Sequence, residues 1–179
     1  LPYALTIFLK LQLTDKKIIE SARRTLTIEA DAVSKLSKYV NQDFILAVKK
    51  IFSSKGRVVV TGIGKSAIIA QKIVATFNST GTPALYMHAA DAIHGDIGMV
   101  QQKDIVLVIS KSGDSPEIKI LVPLLKNFGN LLIAMVGQVK SFLALQADVI
   151  LNTTISEEAC PNNLAPRSDE QTSDPHSPM

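Results

Sequence analysis

The residues best placed to do chemistry begin with Val58-Val59-Val60-Thr61-Gly62-Ile63-Gly64-Lys65-Ser66. A run of β-branched residues ends in two glycines, then a cation and a hydroxyl, and an apolar-periodic segment follows. That pattern predicts a buried strand, a tight turn and the first turn of a helix. Gly62 and Gly64 let the backbone turn sharply and approach a ligand closely. The unpaired N–H groups at the helix start, with Lys65 and Ser66 beside them, favour an anion, most often a phosphate or carboxylate. A second stretch of the same kind is Ser110-Lys111-Ser112-Gly113-Asp114-Ser115, followed by Pro116, which suits a first helical turn. The hydroxyls of Ser110, Ser112 and Ser115, together with helix-start amides, can hold phosphate oxygens without a metal. A Ser/Gly/Asp turn with a capping role would show the same residues, but two such turns in one chain favour a phosphate.

Glu117 and Glu158 are the carboxylates of interest. Moving a proton between adjacent carbons of a sugar needs a base near neutral pH and a partner that protonates or polarises the oxygens. Burial beside a sheet end raises a carboxylate's pKa, and a nearby lysine stabilises enediolate charge. Either glutamate taken alone is more often a solvated surface residue. His94, in Asp91-Ala92-Ile93-His94-Gly95-Asp96, suits proton transfer, metal binding with Asp96, or simply holding a loop. His88 lies six residues earlier, so His88 and His94 are the metal candidates, but their spacing matches no metal signature and no metal or other cofactor is expected. Cys160 reads as a buried small hydrophobe.

Two familiar readings of the glycine turn fail. A Walker A loop needs a glycine five residues before Gly64, where Val59 stands. The spacing Gly62-x-Gly64-x-x-Ala67 fits a loose dinucleotide fingerprint, yet the next strand ends in His88-Ala89-Ala90 without the acid that binds a ribose.

The elements that must position these residues alternate in period. Strands are expected at 57–61, 84–88, 104–110, 131–136 and 148–152. Helices are expected near 66–79, 116–128 and 140–146, with an irregular stretch at 89–100. Alternating βα units make an α/β fold, a three-layer αβα sandwich around a five-stranded parallel sheet of Rossmann-like or flavodoxin-like kind, with right-handed crossovers. Its ligands sit beyond the carboxyl ends of the strands, where all the residues above fall. Two helices precede the sheet. One spans 15–39 with Ile18, Ile19, Ala22, Leu26, Ala30, Val33 and Leu36 at helical spacing, and the other runs from a cap at Asn41-Gln42-Asp43 through Phe52. Residues 1–53 are thus expected to form a helical segment packing on the domain or on a partner subunit.

The chain of 179 residues is long enough for one domain with a sizeable core. Its aliphatic-rich, Trp-free composition suits a parallel sheet covered by helices. A formal charge of +3, with basic residues scattered and not interleaved with aromatics, gives little support for nucleic-acid binding. The single cysteine excludes an internal disulfide framework and fits a reducing cytoplasm. Leu1–Leu13 is apolar but too short to span a membrane and lacks a cleavage site, so neither a membrane segment nor a signal peptide is expected. The chain begins without Met and reads as a fragment or a processed form.

Five motifs then occur in order: Thr61-Gly62-Ile63-Gly64-Lys65-Ser66, Ser79-Thr80-Gly81-Thr82-Pro83, His94-Gly95-Asp96-Ile97-Gly98-Met99, Ile109-Ser110-Lys111-Ser112-Gly113 and Glu158-Ala159-Cys160-Pro161. In this the chain resembles the sugar isomerase (SIS) domain, specifically the arabinose 5-phosphate isomerase family, from about Asp15 to Pro166. The resemblance implies a homotetramer built on SIS dimers and interconversion of D-arabinose 5-phosphate with D-ribulose 5-phosphate through an enediol(ate). That reaction feeds synthesis of the sugar acid Kdo for lipopolysaccharide or capsule. It also implies roles: Lys65 as the active-site lysine, Glu117 and Glu158 sharing acid/base work, Ser110, Ser112 and Ser115 in the phosphate loop, and His94 in the His-Gly-Asp segment.

The family continues after Leu-Ala-Pro with a long helix and a His-Pro-Gly-Gly segment. Here Leu164-Ala165-Pro166 passes into a polar stretch, and His176 lies in Pro-His-Ser-Pro. Residues 54–166 are therefore expected to be the SIS domain of a truncated or divergent chain, and 167–179 a disordered tail. A catalytically inactive SIS module that binds a sugar phosphate or nucleotide-sugar and regulates a partner is the alternative function.

Overall fold

The computed structural model describes residues 14–155. Glu158, Cys160 and the expected tail at 167–179 lie outside them, as does the apolar stretch 1–13. The described residues fall into two units, one holding residues 14–35 with Ile155 and the other residues 36–154.

The first unit is built on helix α1, Asp15–Leu36, whose last residue belongs to the second unit. Asp15 stands in its first turn and Lys35 in its last, each at the end where the helix dipole favours its charge. None of its residues is buried, and Ile18, Ile19, Leu26 and Val33 are exposed along it.

In the second unit a 3-10 turn, Ser37–Tyr39, leads to α2, Gln42–Ser53. Asn41 caps α2 by accepting hydrogen bonds from the N–H groups of Asp43 and Phe44, at 3.0 and 3.3 Å. The core elements follow as β1 (Val58–Gly62), α3 (Lys65–Ser79), β2 (Ala84–His88), α4 (Ala89–Ala92), a 3-10 turn at Asp96–Met99, β3 (Ile105–Ser110), α5 (Pro116–Phe128), β4 (Leu131–Val136), α6 (Phe142–Gln146) and β5 (Val149–Asn152). The strands form one parallel five-stranded sheet in the order β2-β1-β3-β4-β5. This is the expected α/β architecture, including the expected strand count and direction.

Strands β1 and β3 are buried along their whole length, as their unbroken aliphatic runs require when helices cover both faces. On one face Val59, Met87, Val106, Val108, Leu132 and Ala134 pack with α4, α5 and α6 through Ala89, Ala92, Ile118, Leu121, Leu125 and Leu143. On the other, Val58, Val60, Leu107 and Ile133 pack with Ala47 of α2 and Ala70 of α3. Helix α2 thus covers part of one sheet face, one of the two placements open to it.

The amino edge of the sheet is locked by charge. Arg57 donates from its backbone N–H to Asp104 Oδ1 at 2.8 Å, and from Nη2 to Asp104 Oδ2 at 2.7 Å and to the Met99 carbonyl at 2.8 Å. The Gln101 N–H donates to Asp104 Oδ2 at 2.9 Å, and the side chain of Asp104 is fully buried. Burial alone would raise this carboxyl's pKa. The Arg57 side-chain hydrogen bond, the backbone N–H groups of Gln101 and Arg57, and the Arg57 charge outweigh it and hold the pKa below the usual carboxylate value.

Candidate functional site

Strand β1 connects to β2 on one side of it and the chain then crosses to β3 on the other. The crevice of such a sheet opens at that reversal, beyond the carboxyl ends of β1 and β3. Register sets the rim level: Gly62 lies opposite both His88 and Ile109, Ser110 lies opposite Val136, and Val136 lies opposite Asn152. The glycine turn and the serine loop singled out in the sequence therefore leave adjacent strands at the crevice itself.

The first turn is built by its glycines. A Cβ on Gly62 would stand 3.0 Å from both the Ile109 carbonyl oxygen and the Ser66 carbonyl carbon, a tight approach that a side chain would relieve only by shifting backbone, so glycine suits the close start of α3. Gly64 has φ 57°, in the region that favours glycine, and it precedes the first residue of α3. Lys65 and Ser66 are the first two residues of that helix. Lys65 is exposed, and its ammonium makes no hydrogen bond or ion pair with another described residue.

The serine loop is more constrained. Ser110 is buried, and its Oγ accepts a hydrogen bond from Gly113 N–H at 3.0 Å, which closes the loop on itself. Ser112 is half-buried and its Oγ accepts from Asp114 N–H at 3.4 Å. Ser115 stands at the start of α5 without capping it, and its Oγ is buried with no hydrogen-bond partner among the described residues. Glu117 follows one residue into the helix and is half-buried, in the first turn where the dipole favours a carboxylate.

His88 ends β2, half-buried. Its Nδ1 is buried and lies 3.7 Å from Asp91 Oδ2, too far for a hydrogen bond. His94 and Asp96 are exposed, His94 in the turn after α4 and Asp96 at the start of the 3-10 turn, so the stretch expected to be irregular at 89–100 holds two short helical turns. Among the described residues no three His, Cys, Asp or Glu side chains group as a metal ion would require, so His88, His94 and Asp96 do not form a common ligand set. Lys65, Ser66, Ser110, Ser112, Ser115, Glu117 and His88 share one rim through their strand ends. Glu158 lies outside the described residues.

The contacts that hold the serine loop from outside are not apparent in the sequence. The Gly137 N–H donates to the Lys111 carbonyl at 3.1 Å and the Leu143 N–H to the Gly113 carbonyl at 3.0 Å. Asp114 Oδ1 accepts from the Phe142 N–H at 3.3 Å and lies 3.3 Å from Lys119 Nζ. Gly113 has φ 71°, and a Cβ there would collide with the Ser141 side chain. The one available signal is Ser141, a polar residue before an apolar run, and it does cap α6 by accepting from Ala144 N–H at 3.4 Å.

Known proteins are similar to this chain in sequence and fold. The chain is 48% identical over 150 residues to the arabinose 5-phosphate isomerase KdsD of Pseudomonas aeruginosa, matching 84% of this chain and 46% of that protein. It is 46% identical over 149 residues to KdsD of Escherichia coli K12, matching 83% of this chain and 45% of that one. The chain thus spans about half the length of the curated relatives it matches. An E. coli CFT073 protein solved in complex with arabinose 5-phosphate is 38% identical, with a TM-score of 0.81 over 86% of this chain and 82% of that one. Residues 50–168 match the SIS domain, which takes in the whole sheet and both turns at the crevice, and the chain belongs to the SIS domain family.

Proposed function

We propose that this chain carries the sugar-phosphate site of an aldose–ketose isomerase that interconverts D-arabinose 5-phosphate and D-ribulose 5-phosphate. The observation that supports it best is the meeting of the Gly62–Ser66 turn and the Ser110–Ser115 loop at the β1/β3 crevice, in a fold similar to that of a protein solved with arabinose 5-phosphate. The start of α5 and the serine hydroxyls hold the 5-phosphate, and the start of α3 faces the same crevice. The sugar then extends along the rim toward Lys65 and Glu117.

In the reaction a carboxylate removes the C2 proton of the aldose, the C–H electron pair forms the C1–C2 double bond, and the C1 carbonyl pair moves onto O1, which takes up a proton to give the enediol(ate). The O2 hydroxyl then gives up its proton as the C2–O double bond forms, and the C1–C2 pair takes a proton at C1 to complete the ketose. Glu117 and Glu158 share the acid/base work, and Lys65 stabilises the charge that develops on the oxygens. His94 takes a proton-transfer or loop-holding role in this reading. The reaction needs no cofactor.

The wider reading is a SIS domain at 54–166 preceded by helices at 1–53 and followed by a tail at 167–179, a homotetramer built from SIS dimers, a cytoplasmic location, and supply of a precursor for Kdo. The relatives named as isomerases support the substrate. Among the described residues no helix is long and apolar enough to cross a membrane. Turnover of arabinose 5-phosphate, set against ribose 5-phosphate and glucose 6-phosphate, tests the reading. It fails if the folded protein converts one of the other sugars in preference.

A further inference from the structure

The serine loop does not hold its shape alone, and Asp114 supplies the one side chain among its outside supports that the Phe142 N–H and Lys119 both meet. Three interactions tie residues 111–114 to the segment that follows β4: Gly137 N–H to the Lys111 carbonyl, Leu143 N–H to the Gly113 carbonyl, and Phe142 N–H to Asp114 Oδ1. The same Asp114 oxygen lies 3.3 Å from Lys119 Nζ, on the first turns of α5. A lysine there opposes the helix dipole, and a carboxylate beside a phosphate would repel it. Each of these liabilities is reduced by the other, because Lys119 and Asp114 stand as half-exposed opposite charges beside one another. The carboxylate therefore braces the loop without adding net negative charge where an anion must bind.

We propose that Asp114 is a positioning residue for the sugar phosphate, acting through the Ser110–Ser115 loop and not by touching the substrate. This rests on the isomerase reading for its ligand. Removing the carboxylate frees one end of the brace, so the amides and hydroxyls that surround the phosphate lose their fixed geometry and binding weakens before chemistry does. Asn retains an acceptor for the Phe142 N–H while losing the charge, which separates the hydrogen bond from the ion pair.

The test compares wild type with Asp114→Ala and Asp114→Asn by kinetics on arabinose 5-phosphate, binding of the same sugar, and amide hydrogen exchange. Asp114→Ala is expected to raise KM and the sugar-phosphate dissociation constant about five- to tenfold, more than it lowers kcat, and Asp114→Asn to recover part of that loss. Exchange at Gly113 and Phe142 should quicken in Asp114→Ala while amides of β1 and β3 stay protected. Unchanged exchange at those two amides would overturn the proposal. So would an equal fall in kcat with KM unmoved, or slowed chemistry that Asn does not rescue. If wild type neither binds nor turns over arabinose 5-phosphate, the isomerase reading fails, and the exchange comparison still decides whether Asp114 braces the loop.

Discussion

At the residue scale, groups that bind and groups that react respond differently to substitution. Lys65 is exposed at the start of α3, with no side-chain partner among the described residues, so replacing it removes charge without leaving a buried group unpaired. Lys65→Ala should lower kcat by about 100-fold or more and leave the thermal midpoint almost unchanged. Glu117→Gln keeps the shape at the start of α5 and should produce a comparable loss in turnover. Normal turnover in either variant would remove that residue from the reaction. Ser112→Ala deletes one hydroxyl of the loop and should weaken binding of arabinose 5-phosphate by roughly three- to tenfold, read directly as a dissociation constant.

At the scale of elements, β2, β4 and α5 have the limits that their composition predicts, because each is an apolar run bounded by turn residues or a proline. Strands β1 and β3 begin one residue later than the sequence suggests. The Arg57 N–H donates to the Asp104 carboxylate and not to a neighbouring strand, and the Asp104 N–H closes a turn on the Gln101 carbonyl. Helix α6 likewise begins at Phe142 and not at Lys140, because Ser141 caps it. The glycine turn and serine loop were legible because their chemistry is local to a few residues. The brace was not: Asp114 and Phe142 are 28 residues apart, and hydrophobic periodicity carries no signal of such a pairing.

Two predictions belong to these elements. Gly113→Ala forces a Cβ into the Ser141 side chain at a positive φ and should destabilise the domain by about 1–3 kcal/mol, measured by denaturant unfolding. The Asp104 lock sets a pH dependence. Its folded pKa is depressed, so its stabilisation is present in full above the unfolded carboxylate value, near 3.9, and is lost as pH falls through the lower folded value. Asp104→Asn should therefore destabilise the protein by about 2 kcal/mol at pH 7, with the difference from wild type shrinking below about pH 4. A constant difference across that range would contradict the assignment.

At the scale of the whole molecule, the exposed Ile18, Ile19, Leu26 and Val33 of α1 fit the proposed assembly of identical subunits, since such a row gains most from a partner's apolar surface. The protein should have a mass in solution that is a multiple of 19.3 kDa. Leu26→Glu should reduce that mass without altering the unfolding of the sheet unit. An unchanged mass would place the assembly surface elsewhere.

The most direct test of the central claim is formation of ribulose 5-phosphate from arabinose 5-phosphate by the purified protein, with its folding checked in the same sample. Turnover of that sugar, with little on ribose 5-phosphate or glucose 6-phosphate, is the predicted result. A folded protein that binds arabinose 5-phosphate at the β1/β3 crevice and leaves it unconverted would contradict the isomerase and identify a sugar-phosphate-binding module.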